Sequence, residues 1–268
     1  FRMKQNAAGL ASICVLFTAL LVTVSTTFSL YTSMDELMRA RYPRNVLINA
    51  QGANQDAKEM IQTAASEEAD ALGLTIENVI DRESWSLTMA RKDNAFFTTG
   101  DVASNTYAVA QIFTQEEFER FSGQSISLEE NQMMLYDPRG TFPENGTLSI
   151  DSVEFTIIPS SYEFPEASTM AQVYEEYYLV VKDVAAVERI LAPSGSYTIP
   201  TYSYDFDVAG GRAQDISALA EALGNRDFSG QGVSYESLWM EDSATSREDF
   251  MSLYGGLFFL GMFLGVLF

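Results

Sequence analysis

The chain has 268 residues, 47% hydrophobic and 20% charged, which is enough for at least one domain with a packed core. All 37 acidic residues lie between Asp35 and Asp249 with 14 of the 16 basic ones, so this interval has a net charge of −23. Such a charge argues against nucleic-acid binding, and the lack of histidine excludes Ser-His-Asp catalysis and the usual histidine-containing zinc sites.

The first element is an apolar segment without charge from residue 5 to residue 34, which includes AAGLASICVLFTALLVTVSTTFSLY. About 20 helical residues cross the hydrocarbon core of a bilayer. Residues 1–33 are therefore predicted to form a transmembrane helix with a cytoplasmic N-terminal end. Arg2 and Lys4 also resemble the basic start of a signal peptide, but the apolar stretch exceeds the roughly 7 to 15 residues of such a signal.

Between this segment and the C-terminal end, helices and strands alternate. Met34, Leu37, Met38 and Tyr42 have helical spacing and predict a stalk helix that stops before Pro43. Thr114 and Glu117 predict the capping box of a short helix. Helices are predicted at 56–74, 114–123, 184–192 and 213–224, and strands at 74–80, 84–90, 106–114, 132–137, 147–159, 173–182 and 196–208.

The order of these elements lacks βαβ regularity and predicts an α+β domain with a mixed or antiparallel sheet and several short helices. This domain is expected to cover residues 34–249, including the stalk, with about 35–249 outside the cell. The turn-rich stretch DPRGTFPENG, residues 137–146, either divides it into two lobes or forms a long loop within one domain.

The last element, residues 250–268, has 19 uncharged residues and is predicted to be the truncated start of a second transmembrane helix. Gly261 and Gly265 form a GxxxG pair, so they are the candidate helix-packing residues. The predicted fold class is thus an α+β domain flanked by two transmembrane α-helices.

Paired carboxylates are the main candidates for chemistry. Neighbouring acids on a helix, such as Glu116 and Glu117, are expected to face solvent, and adjacent residues on a strand point to opposite faces. Asp205 and Asp207 are two apart on a predicted strand, so they can share one face. We take Glu175, Glu176, Asp205 and Asp207 as candidate ligand-binding residues, and expect no catalytic, cofactor-binding or metal site, since phosphate loops, GxSxG and EF-hand spacings are absent from the sequence.

The two ends carry a family resemblance. FRMKQNAAGLASICVLFTALLVTVSTTFSLY, residues 1–31, is similar to the segment that opens the second half of FtsX-like ABC transporter permeases of the bacitracin-resistance branch. LYGGLFFLGMFLGVLF, residues 253–268, resembles the start of the helix after their large extracellular domain, and TQEEFERFSGQSISLEENQMMLYD resembles a passage within that domain.

This resemblance implies a multi-pass permease subunit in the cell membrane of a Gram-positive bacterium, with antimicrobial-peptide resistance and sensing as its role. It implies that a separate ABC ATPase subunit binds and hydrolyses ATP, that a sensor histidine kinase is a partner in many complexes, and that the ligand is a cationic peptide antibiotic or a cell-wall lipid intermediate. On this hypothesis the chain is not an enzyme. The alternatives are a two-span membrane receptor that is not a transporter, and a membrane-anchored hydrolase that uses Asp205 and Asp207.

Overall fold

The structure, a computed structural model, describes residues 2–98, 106–142, 146–164, 167, 174–194 and 199–267. Its helices are α1 (Arg2–Thr32), α2 (Met34–Arg41), α3 (Gln55–Ala71), α4 (Gln115–Ser122), α5 (Val184–Leu191), α6 (Ala213–Gly224) and α7 (Ser243–Leu267). Its strands are β1 (Val46–Gln51), β2 (Ile76–Lys92), β3 (Ala95–Phe97), β4 (Thr106–Thr114), β5 (Gln132–Tyr136), β6 (Gly146–Ile150), β7 (Val153–Pro159), β8 (Glu175–Val181), β9 (Thr201–Val208) and β10 (Ser237–Asp242).

The long strand β2 belongs to two sheets. Its first half pairs with β9 and completes an antiparallel sheet in the order β10-β1-β9-β2, which we call the open sheet. Its second half pairs with both β3 and β4. The order β2-β3-β6-β7-β5-β8-β4 therefore returns to β2, and these seven strands form what we call the closed sheet.

Three apolar clusters fill this architecture. The inside of the closed sheet is packed with residues such as Leu87, Phe96 and Phe155, and α5 contributes Val187 and Ile190. On its outer side, a second cluster contains Phe113, Phe118, Phe164, Tyr178 and Val180. The open sheet packs α3 and α6 against one face, where Ile48, Ile61, Phe206 and Leu219 are buried. The junction of the two sheets thus lies between separate cores.

Several elements follow their sequence signals. Thr114 accepts a hydrogen bond from the backbone N–H of Glu117 at 3.2 Å, which confirms it as the N-cap of α4, and this helix ends at Gly123 with a φ of 69°. The predicted strands at 74–80 and 84–90 are instead one strand, β2, with an irregularity between Glu77 and Ile80. The stretch 137–146 connects β5 to β6 within the closed sheet, and its residues 143–145 lie outside the described part.

The predicted fold class is wrong, because within the described residues no helix combines the length and apolarity that a membrane crossing requires. Hydroxyl side chains recur along α1, where Thr18 and Thr27 bond to backbone carbonyls one turn earlier, and α7 begins with a polar stretch that includes Arg247, Glu248 and Asp249. The multi-pass topology predicted from two flanking transmembrane helices is corrected with it. The sheet also closes on itself, through the long-range pairings β2–β4 and β4–β8.

The two terminal helices nevertheless pack against each other. Both expose large apolar side chains, among them Leu10, Phe17, Phe28, Leu253 and Phe259. The described part of the chain supplies no cover for these side chains. This apolar surface therefore faces surroundings outside the described residues.

Candidate functional site

The most structured polar site lies where β2 passes from the open sheet to the closed sheet. At the open sheet, β2 is an edge strand, because β9 pairs with one side of it only. Helix α4 occupies the other side. The carboxylate of Glu117 accepts from the backbone N–H of Glu83 at 2.6 Å, and the guanidinium of Arg120 donates to the backbone carbonyl of Asp81 at 2.6 Å. Two side chains of α4 thus satisfy backbone groups that an edge strand would otherwise expose.

Helix α3 approaches the same stretch of β2 from the open-sheet face. Its N-cap is Asn54, whose side chain accepts from the backbone N–H of Ala57 at 3.0 Å. One turn apart on one face, Lys58 and Gln62 reach the strand: the Lys58 ammonium lies 3.0 Å from the Glu83 carboxylate, and the Gln62 amide donates to Asp81 at 2.8 Å.

Tyr202 on β9 contacts the same two side chains of α3. Its hydroxyl accepts from the Gln62 amide at 2.9 Å, and the Lys58 ammonium lies 5.5 Å from the centre of its ring. The phenol is 2% exposed, and burial raises its pKa above the ordinary value near 10. Tyr202 is therefore neutral at physiological pH and serves as a hydrogen-bonding and cation-binding surface.

Two adjoining cavities open at this junction. One, of about 290 Å³, is polar and is lined by Lys58, Gln62, Asp81, Glu83, Glu117, Arg120 and Tyr202 with Gln55 at its rim. The other, of about 220 Å³, shares Asp81 and Arg120 and adds apolar groups from Val79, Ile80, Phe121 and Tyr162, together with Arg82. We call the two together the junction cleft. Arg120 lines both cavities and separates one from the other.

The charges of the polar cavity are arranged as pairs. Arg120 lies 2.6 Å from Glu117 and 3.4 Å from Asp81, and the hydrogen bond with Glu117 is the main reason why its pKa is raised. Lys58 is paired with Glu83. Among the described residues no group of carboxylates and cysteines has the geometry to hold a metal ion. The charged side chains of the polar cavity are thus paired with one another.

The predicted candidates lie elsewhere. Glu175 and Glu176 sit on opposite faces of β8, as their adjacency requires: Glu175 shares the inner face with Tyr177, whereas Glu176 shares the outer face with Tyr178. The Glu175 carboxylate lies 3.1 Å from Arg91 and accepts a hydrogen bond from the Tyr177 hydroxyl. Its charge is therefore neutralised within the chain.

Arg91 is the centre of that group of contacts. It also donates to the hydroxyl and the backbone carbonyl of Thr141, at 2.7 and 3.2 Å, and its guanidinium lies 4.7 Å from the centre of the Phe142 ring. Arg91 and Glu175 have side chains only 13% and 14% exposed. We interpret this cluster as a structural joint that fixes the loop after β5 to β2 and β8.

Asp205 and Asp207 share one face of β9, on the side away from α3 and α6. Asp205 is buried, whereas Asp207 accepts from the backbone N–H of Asn45 and from the side chain of Asn78, both at 3.0 Å. Arg44 lies 3.9 Å from Asp207. The structure thus brings these two carboxylates onto one face, and it uses Asp207 to fasten the segment that enters β1.

A second functional feature joins the places where the chain enters and leaves the domain. Tyr42, after α2, donates to the Glu241 carboxylate at 3.0 Å and accepts from the Ser246 hydroxyl at 2.7 Å. Arg41 lies 3.1 Å from the same carboxylate. We call these four residues the base latch. Since α1 precedes it and α7 follows it, the base latch ties the paired helices to β1 and β10.

Of the predicted packing residues Gly261 and Gly265, only the helical backbone in α7 is described. The residues of the junction cleft were missed by the sequence analysis. Glu117 was expected to face solvent, yet it is turned toward β2. The only available signal was the spacing of Lys58 and Gln62 on the polar side of α3, which any solvated helix also shows.

Comparisons with known proteins add little. No protein-family model matches the chain, and no curated protein is significantly similar to it. Among solved structures, it is similar to a protein from Bacillus anthracis that is named provisionally as a lipoprotein, with 11% identity and a TM-score of 0.34. The match covers 72% of this chain and 96% of the other. A likeness at this level carries no argument about fold or function.

Proposed function

We propose that residues 34–249 act as a sensor or substrate-handling domain outside the cell, and that a ligand bound to this domain alters the pair of helices α1 and α7. The resemblance of the sequence to FtsX-like permeases supports the role, with a peptide antibiotic or a cell-wall lipid intermediate as the ligand. On this proposal the chain is not an enzyme, and the energy comes from an ABC ATPase on a separate subunit, with a sensor histidine kinase as a further partner.

The base latch is the observation that carries the proposal. Tyr42 and Glu241 are 199 positions apart in the sequence, yet they join the entry and the exit of the domain directly beside the helix pair. We expect a change in the open sheet to reach both helices through the base latch, because β1 and β10 lead into its two sides.

The test measures a distance in the full chain with and without a peptide antibiotic. Cys14 is the single cysteine and is exposed on α1, so it carries one spin label, and the substitution Glu116→Cys on the exposed side of α4 carries the other. Bacitracin is expected to shift the distance distribution between the two labels. In the Tyr42→Phe background that shift is expected to shrink.

A matched tyrosine, Tyr235→Phe, serves as the control because Tyr235 packs in the open-sheet cluster and not in the latch. Binding of bacitracin with an unchanged distance distribution would overturn the proposed coupling. An equal shift in the Tyr42→Phe chain and in the chain that keeps Tyr42 would show that the base latch does not transmit the change.

A further inference from the structure

We infer that the junction cleft binds a small amphipathic zwitterion, namely an amino acid or short peptide that presents an ammonium and a carboxylate beside an apolar side chain. This inference rests on the proposed function, because it assigns the ligand site and ligand class of the same domain.

The first step concerns charge balance. The polar cavity contains the acids Asp81, Glu83 and Glu117 and the bases Lys58 and Arg120, and the adjoining cavity adds the base Arg82. Acidic and basic groups are therefore equal in number along the cleft, although the whole domain is strongly acidic. A balanced site does not select a ligand by net charge.

The charged side chains of the cleft occur as ion pairs. A ligand with one charge would take one member of a pair such as Lys58–Glu83 and leave the other member without its partner in a partly buried site, which is unfavourable. A zwitterion supplies a new partner to both members at once. Its carboxylate accepts hydrogen bonds from Lys58 or Arg120, and its ammonium donates hydrogen bonds to Glu83 or Asp81. The Tyr202 ring, already beside the Lys58 ammonium, offers a surface for the incoming cation.

The third step concerns the apolar part. Beyond Arg120 the cleft continues along Val79, Ile80, Phe121 and Tyr162. The rings of Phe121 and Tyr162 lie 6.0 Å apart in an edge-to-face arrangement, and Val79 is 45% exposed. An apolar side chain placed here would cover these groups, while its charged end groups lie in the polar cavity. A charged cavity that continues into an apolar one fits an amphipathic ligand and not a purely polar one.

Arg120 has a special position in this arrangement. Its side chain is 46% exposed and separates the two cavities, while it also holds Asp81 and Glu117. When a ligand carboxylate bonds to the outward face of Arg120, the apolar and the polar parts of the ligand lie on its two sides. Arg120 is thus the residue that determines the orientation of the ligand.

The experiment titrates the full chain by calorimetry with the zwitterionic dipeptide leucyl-phenylalanine, and with the same dipeptide acetylated at its N-terminus and amidated at its C-terminus. The zwitterion is expected to bind. The capped form is expected to bind at least about tenfold more weakly, because it lacks both charge-assisted bonds. Equal binding of the two forms, or no binding of the zwitterion, would overturn the inference.

Variants locate the site. Lys58→Gln and Arg120→Gln are each expected to weaken binding of the zwitterion by about tenfold, since each removes one charge-assisted partner. Arg212→Gln is the matched control, because Arg212 is paired with Asp215 on α6, away from the cleft. Arg120 also holds the edge of β2, so circular dichroism must show each variant folded, and Lys58→Gln gives the answer if Arg120→Gln unfolds.

Two outcomes separate this inference from the proposed function. If the dipeptide binds with the expected loss in Lys58→Gln while bacitracin binds and leaves the Cys14-to-α4 distance unchanged, the proposed coupling is overturned and the ligand site in the cleft is supported. If bacitracin shifts that distance while Lys58→Gln and Arg120→Gln bind the dipeptide as tightly as the control, the ligand site in the cleft is overturned and the proposed coupling is supported.

Discussion

The carboxylate of Glu117 accepts a hydrogen bond from the backbone N–H of Glu83 at 2.6 Å, so this acidic residue of α4 fixes the helix to the edge of β2. The same carboxylate is paired with Arg120. Glu117→Ala leaves the Glu83 N–H and the Arg120 guanidinium without this acceptor. We expect it to lower the free energy of unfolding by about 1.5–3 kcal/mol, measured by urea denaturation.

Glu116→Ala is the control for this change. Glu116 also lies in the first turn of α4 but is exposed, so both variants lose the same interaction with the helix dipole. Its effect is expected to stay within about 0.5 kcal/mol. If the two variants were equally stable, the contact between Glu117 and Glu83 would have no structural role.

The pair Arg91–Glu175 gives a second prediction. Arg91→Met leaves a carboxylate with 14% exposure without its cation, and we expect a loss of about 3 kcal/mol in the free energy of unfolding. The double variant Arg91→Met/Glu175→Met should recover part of that loss, because no unpaired charge remains. Arg212→Met breaks an exposed pair and should cost less than about 1 kcal/mol. A double variant less stable than Arg91→Met would contradict this account.

The sequence predicts local features of this fold better than its long-range ones. Thr114 was predicted as the N-cap of α4 and accepts that hydrogen bond, and Asp183 does the same for α5, because capping depends only on neighbouring residues. In contrast, β1 and β10 were not predicted. Their sequences, VLINAQ and SLWMED, are short and acquire their strand character from pairing with each other and with β9.

The closure of the sheet and the junction cleft were beyond sequence reasoning for the same reason. Closure depends on Trp85 pairing opposite Ile112 and on β4 running parallel to β8, contacts between residues far apart in the chain. The cleft depends on Lys58, Glu83 and Glu117 meeting from three elements. Each of these residues alone has the appearance of an ordinary surface charge. The candidates that were chosen, Glu175 and Asp207, are engaged by Arg91 and by Asn45.

The base latch predicts a measurable coupling energy. Tyr42→Phe and Glu241→Ala each remove one side of the hydrogen bond at 3.0 Å, and the double variant removes both. A double-mutant cycle on the free energy of unfolding should give a coupling of about 0.5–1.5 kcal/mol, the range for a partly exposed hydrogen bond. A pair such as Tyr235→Phe with Glu241→Ala, which does not share a contact, should be additive. Additivity in the latch pair would contradict the role assigned to it.

Buried tyrosines predict a loss of stability at alkaline pH. Burial raises the pKa of Tyr202, Tyr204 and Tyr177 above the ordinary value near 10. As the pH rises past about 10, the unfolded chain releases these phenolic protons first, so it binds fewer protons than the folded chain. The stabilisation is complete below that pH and is lost as the pH rises toward the folded-state pKa values.

Urea midpoints measured between about pH 8 and pH 11 test this expectation, because the unfolded phenols titrate inside that range. The midpoint should fall steeply above about pH 10. Tyr202→Phe should make the fall shallower, since one of the raised groups is gone, although the variant also loses the bond from Gln62 and so starts from a lower midpoint. Tyr107→Phe, at a tyrosine 41% exposed, is the control for the loss of one phenol. A slope in Tyr202→Phe as steep as in the Tyr107→Phe chain would show that the Tyr202 phenol is not held neutral by its burial beneath the junction cleft.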